Sequence, residues 1–250
     1  MVGSRGRMGA TLARRMRAAG LDVRGLDGLA DTTPEAAALR ALGQGLDLLL
    51  LCVPVTAVRD VLRLLTPHLP PSCVVADITS VKVQPLRAMA ELWPGAVVGT
   101  HPLFGPLTEG ELRVAIVPGA RAGAAQVELV ERVFQAAGCT PFRCDAEEHD
   151  KAMAAIHSLN YITSLAYFST LAGHEEWLPF VTPSFKRRQD AAQKMLTEDG
   201  EMFDALFDAN PYSAALVRQF GAHLGAAAAG DTSPLREQAL WWWPGGTPRR

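Results

Sequence analysis

The chain opens Met1-Val-Gly-Ser-Arg-Gly-Arg-Met-Gly9, a glycine-spaced turn leading into a helical pattern, and the next apolar run closes on the acidic Asp27. Gly6 would let the backbone approach a pyrophosphate, Gly9 would let the following helix pack closely on its strand, and the helix N-terminus offers free N–H groups to phosphate. Gly3, Ser4, Arg5, Gly6, Arg7, Met8 and Gly9 are therefore the expected dinucleotide loop. A carboxylate at Asp27 would accept hydrogen bonds from ribose hydroxyls and repel a 2′-phosphate, which points to NAD. Arg5 and Arg7 keep NADP as the alternative, and a glycine turn before an ordinary surface helix is the plainer reading.

From this loop to about residue 146, strand-length apolar runs alternate with helical patterns, the grammar of a doubly wound Rossmann-type parallel sheet. Met8, Leu12, Met16 and Ala19 recur at helical spacing before Gly20. Strands are expected at Leu21–Leu26, Asp47–Val53, Cys73–Asp77, Ala96–Thr100, Leu112–Val117 and Thr140–Cys144. Only Met1 and Val2 precede Gly3, so either the true start lies upstream or the sheet has a short centre. Beyond Glu147 the strand signals stop. Helical patterns run through Asp150–Ala172, Pro183–Leu196, Glu198–Asp208 and Pro211–Ala229. The expected organisation is a dinucleotide-binding domain over 1–146, an all-helical substrate and dimerisation domain over 147–230, and an irregular tail over 231–250 carrying Trp241-Trp242-Trp243. The first of these helices is apolar on more than one face, more than a four-helix unit could cover alone, which predicts a homodimer.

At 250 residues and a formal charge of −2 the chain can bury a substantial core, and it has no general attraction for nucleic acid or anionic membrane. No apolar run approaches the roughly 20 residues that span a bilayer, and no signal peptide is evident. Cys52, Cys73, Cys139 and Cys144 show no metal-ligand spacing and read as packed, reduced thiols of a cytoplasmic protein.

His101, in Gly99-Thr-His-Pro-Leu-Phe-Gly-Pro106, follows a strand and precedes a Pro/Gly-rich loop, where catalysts of open α/β sheets gather. Its imidazole could take a hydroxyl proton; a turn histidine bonded to backbone is the competing reading. Ser80, in Ala76-Asp-Ile-Thr-Ser-Val-Lys82, could bridge nicotinamide and substrate, or Thr79 or Ser80 could simply cap a helix. Val53-Pro54 would form an apolar wall for the cofactor. His149-Asp150 reads as a helix opening, and His157 could face the cleft or be buried and bonded. Lys186, Asp190 and Lys194 share a helix face that is either solvated or a clamp for a substrate carboxylate.

Together these pieces resemble the prephenate dehydrogenase family. The likeness rests on the glycine loop, Leu51-Cys-Val-Pro54, Asp77-Ile-Thr-Ser-Val-Lys82, His101-Pro-Leu-Phe-Gly-Pro106 and Glu148-His-Asp150 with its apolar helix. The resemblance implies NAD-dependent oxidative decarboxylation of prephenate to 4-hydroxyphenylpyruvate in tyrosine biosynthesis, in a site between the two domains of a dimer. It implies that His101 is the base on the ring hydroxyl, that Ser80 positions substrate and nicotinamide, and that Lys186, Lys194 and His157 contact the small anionic substrate. Aromatisation would drive the reaction, leaving the protein to position the reactants and hold a base.

The chain departs from the pattern in places. Lys186 and Lys194 stand where members carry arginine, keeping the charge and losing the bidentate fork. His157 stands one position from a histidine that relatives align near Ser158 or Tyr161, and Leu107, with Glu109 nearby, replaces an acidic residue. Arogenate or an amino analogue of prephenate fits the same frame. A catalytically silent NAD-binding dimer and a hydroxy-acid dehydrogenase are the other readings; the second lacks a Lys-centred motif here. No chorismate mutase segment is expected ahead of the loop, and feedback control, if any, is expected to act within these two domains.

Overall fold

The computed structural model describes residues 1–28, 39 and 44–248. Five strands form one sheet in sequence order: β1 (Leu48–Leu51), β2 (Val74–Asp77), β3 (Val97–Pro102), β4 (Arg113–Pro118) and β5 (Thr140–Arg143). Alternation places Leu49, Leu51, Val75, Val97 and Val117 on one face and Leu50, Val74, Ala76, Val98, Val114 and Ile116 on the other. Helices α1 (Arg7–Ala18) and α4 (Ala124–Ala136) cover the second face with Leu12, Met16, Val130 and Phe134. On the first face, α2 (Val58–Leu65) and α3 (Val83–Leu92) contribute Val58, Leu62, Leu86 and Met89. Each fully buried side chain of this size contributes roughly 1.5–3 kcal/mol, and these two faces hold most of the buried apolar residues described.

The sheet is not wholly parallel, a correction to the sequence reading. β1, β2 and β3 pair in parallel and so do β4 and β5, but β4 runs antiparallel to β3, with His101 opposite Ala115. The intervening segment 103–112 holds no helix, and a parallel return needs a crossover of about a dozen residues or more. The expected strand at Leu21–Leu26 is likewise reduced to one bridging residue. Val2 lies between Leu26 and Leu51, its N–H donating to Leu50 at 2.9 Å and its carbonyl accepting from Cys52 at 2.8 Å. Leu26 N–H donates to Met1, and the ladder ends where the Met1 ammonium reaches the Arg24 carbonyl at 2.8 Å. A neighbour of two residues cannot pair a longer strand.

The helical part begins with α5 (Ala146–Met153), which passes through a wider π-helical stretch (Ala154–Leu159) into α6 (Asn160–Thr170). Asp145 caps α5 by accepting from Glu148 N–H at 2.7 Å, so the helix opens earlier than His149-Asp150. Then come α7 (Pro183–Thr197), α8 (Gly200–Ala209), α9 (Ser213–Ala228) and α10 (Thr232–Ala239). The last helix corrects the expectation of a tail irregular from residue 231; Asp231 precedes it, and Arg249 and Arg250 lie outside the described residues. α9 packs on the π-helical stretch through a 2.8 Å hydrogen bond from Ser213 to Ser158. No helix among the described residues is long and apolar enough to cross a membrane.

Candidate active site

The glycine loop is built by close approach. Gly3 has φ +78°, and a Cβ there would lie 2.3 Å from the Cys52 carbonyl oxygen; one on Gly9 would lie 2.0 Å from that of Gly3. Only glycine fits either position. Gly6 precedes α1 without a side-chain cap, which leaves the first-turn amides of Arg7, Met8 and Gly9 for an anion. Asp27 closes the loop from the side: its carboxylate accepts from the Ser4 hydroxyl at 2.6 Å and the Arg5 N–H at 2.9 Å. Val53 and Pro54 follow β1 on the same side of the sheet, Val53 half-buried and Pro54 exposed.

At the carboxyl ends of the strands lies a cleft of about 370 Å³, lined by residues of both parts of the chain, among them Arg7, Ser80, His101, His157, Lys194 and Asp199. The sequence-derived residues Ser80, His101, His157 and Lys194 thus line one cleft. Lys186 does not join them; it is exposed and pairs with Asp190 at 3.0 Å, the solvated-face arrangement.

His101 sits in β3, 3% exposed. Its Nδ1 lies 2.9 Å from Nε2 of His149, whose Nδ1 lies 2.8 Å from Oδ1 of Asp150. The His157 ring stands edge-on to His101 at 5.6 Å between centroids, with its Nδ1 buried and without a hydrogen-bond partner. Burial, then the neighbouring His149, His157 and Lys82, pushes the His101 imidazole well below the ordinary histidine range. His157 is lowered too, first by burial. Both rings are therefore neutral bases at pH 7.

Behind His101 lies a buried charge network that sequence reading left out. The fully buried Lys82 ammonium donates to Asp77 Oδ2 at 2.5 Å and to the Thr100 carbonyl at 2.7 Å, tying the ends of β2 and β3 together. Burial lowers the Lys82 pKa, and Asp77 opposes that shift. Thr79 bonds back to Asp77 and to the Val81 carbonyl rather than capping a helix. The cap of α3 comes from afar: Asp150 accepts from Lys82 N–H at 2.6 Å and Val83 N–H at 2.8 Å. Asp199 was also missed. It binds Arg7 of the glycine loop and lies 3.6 Å from Lys194 Nζ. Burial raises its carboxyl pKa, but the Arg7 bond and the two positive charges outweigh that and hold it below the usual range. No local pattern links residue 7 to residue 199.

Residues 26–140 match the family model for the nucleotide-binding domain of prephenate dehydrogenase. That segment carries a prephenate dehydrogenase nucleotide-binding domain. The match ends before α5. The chain is 28% identical over 235 residues to the T-protein of Enterobacter agglomerans, covering 92% of this chain and 61% of that protein. It is 30% identical over 172 residues to the T-protein of Haemophilus influenzae, covering 69% of this chain and 43% of that protein. The chain thus spans about two fifths to three fifths of the length of these two relatives. In fold it is similar to Synechocystis arogenate dehydrogenase, with a TM-score of 0.75, 22% identity and coverage of 96% and 95% of the two chains. The A. aeolicus prephenate dehydrogenase solved with hydroxyphenyl propionate and NAD+ gives a TM-score of 0.74 at 20% identity, covering 95% and 93%. Both share the Rossmann-type sheet followed by helices.

Proposed function

We propose that this protein is a member of the prephenate dehydrogenase family, an NAD-dependent oxidoreductase that converts prephenate to 4-hydroxyphenylpyruvate and carbon dioxide. The observation that carries the reading is a buried imidazole, His101, lining a cleft that adjoins a glycine loop closed by Asp27. The loop residues fit NAD: Gly3 and Gly9 clear the backbone, the α1 amides would receive the pyrophosphate, and Asp27 would hold the ribose. Bound NAD supplies the hydride acceptor. His101 takes the ring-hydroxyl proton as the hydride leaves the same carbon; the C–CO₂ bond then breaks, its electron pair aromatises the ring, and the phenolate oxygen recovers the proton. Burial serves this step by keeping the ring unprotonated before substrate enters.

That Ser80 and Lys194 line the cleft supports roles for Ser80 in orienting the substrate and for Lys194 in receiving a carboxylate in exchange for Asp199. Arogenate, which has an amino group on the side chain, would use the same base. Leu178, Phe180, Leu224 and the Trp241–Trp243 run are exposed apolar surface on the helical part, which supports a homodimer formed through it. The apolar core and the absence of a membrane-spanning helix among the described residues fit a cytoplasmic enzyme.

The test is NADH formation with prephenate and with arogenate, each with NAD or NADP. Prephenate with NAD should be the fastest pair, and His101→Asn should lower its turnover by roughly 10²- to 10⁴-fold with NAD affinity nearly intact. No NADH from either substrate, or a His101→Asn protein with near-normal turnover, would remove the assignment.

A further inference from the structure

We infer that His149 and Asp150 are positioning residues that hold His101 in the tautomer whose Nε2 carries the free lone pair; this rests on the reading of His101 as the base. Both oxygens of Asp150, which is fully buried, are engaged: Oδ1 by Lys82 N–H and by His149 Nδ1, Oδ2 by Val83 N–H. The backbone carbonyl of Asp150 also accepts from Asn210 Nδ2 at 2.8 Å. A carboxylate fixed this way accepts only, so His149 presents Nδ1–H to it. In the neutral ring Nε2 of His149 is then an acceptor, and across 2.9 Å the hydrogen must sit on Nδ1 of His101. That leaves Nε2 of His101 as the lone pair for the cleft.

Free imidazole has no such constraint. Without His149, His101 would populate the form with hydrogen on Nε2, whose cleft-side nitrogen cannot accept a hydroxyl proton. The chain of rings also bears on the step itself. When His101 gains the substrate proton, its Nδ1–H still points at His149, and the negative charge of Asp150 lies one ring further on. The same carboxylate caps α3, so a single buried group sets the helix start and the hydrogen-bond direction of the base. His157 flanks His101 from the π-helical stretch, and Lys82 bonds the carbonyl of the preceding Thr100; neither shows a hydrogen bond to the His101 ring.

The measurement that needs no substrate is a long-range ¹H–¹⁵N correlation spectrum of the full chain labelled at histidine nitrogen, with His101 identified by comparison with His101→Asn. The unmodified protein should show His101 protonated at Nδ1 and bare at Nε2; hydrogen on Nε2 overturns the inference. In His149→Phe the His101 signature should shift toward Nε2–H, with kcat lowered about ten- to a hundredfold and KM nearly unchanged. His149→Gln, whose amide oxygen can accept from His101 and whose amide N–H can donate to Asp150, should keep the Nδ1–H signature and recover most of kcat. A folded His149→Phe protein with the original tautomer and full kcat overturns the inference, and if that variant does not fold, the unmodified and Gln spectra decide. Should the spectra show the Nδ1–H form while no substrate yields NADH, the functional reading fails and the positioning stands.

Discussion

Gly9 and Lys82 show how single residues are dictated by their neighbours. In a helix interior alanine normally gains about 1 kcal/mol over glycine. At Gly9 a Cβ would fall 2.0 Å from backbone oxygen, so Gly9→Ala should reverse the sign, lowering the unfolding midpoint and weakening NAD binding at least tenfold by calorimetry. Lys82→Met removes the charge paired with buried Asp77, whose Oδ1 already lacks a partner among the described residues. Breaking a buried pair from one side costs about 3–5 kcal/mol, and urea unfolding should read a loss of that order. Lys194 is different, being exposed and shared with Asp199. Lys194→Ala should raise KM with little change in kcat, and Lys194→Arg should match or improve the unmodified KM by supplying a fork. An unchanged KM in the alanine variant would return this residue to the solvated face that Lys186 occupies.

At the level of elements, the residues that matter sit where two elements meet. His101 lies in β3 within the antiparallel β3–β4 pair, and its partner His149 lies on α5, which docks against the start of α3 through Asp150. The base and its orienting groups are thereby mounted on a strand and two helices rather than on a loop, which keeps their geometry tight. The acid limb of the pH profile should report this packing. His101 must be unprotonated to act and its pKa is pushed down by burial, so kcat/KM should stay level as pH falls through about 6.5 and decline only below it. A limb centred at or above the ordinary histidine value would show that the ring is solvated in the working enzyme.

For the molecule as a whole, the same burial couples stability to pH. His101 and His157 have folded-state values below the unfolded value of about 6.5, so under acid the unfolded chain binds more protons. Their contribution is complete above that pH and is lost as pH falls through the lowered values, so the unfolding midpoint should drop on going from pH 7 to pH 5. The helical part buries few side chains of its own. With Phe180 at 78% and Leu178 at 68% exposure, it leaves large apolar groups on its surface, and light scattering should find a dimer at micromolar concentration. A monodisperse monomer would contradict that.

The periodicities alone determined that a glycine loop leads into an α/β sheet and that helices follow, because both signals are local: strands need apolar runs and helices need a 3.6-residue repeat. Position after a strand also placed Ser80 and His101 among the candidates, whereas His157, Lys186 and Lys194 were candidates whose helix faces left cleft and solvent equally open. Tertiary structure decided the rest. It set the antiparallel turn at β4, the reduction of Leu21–Leu26 to one bridge, and the helical start of the tail. It separated Lys194, in the cleft, from Lys186, outside it. It also joined Asp150 to the amides of Lys82 and Val83, and Arg7 to Asp199. Such pairs are chosen by burial: once a charge or an amide leaves water it must find a partner in space, and distance along the chain does not constrain which one it finds.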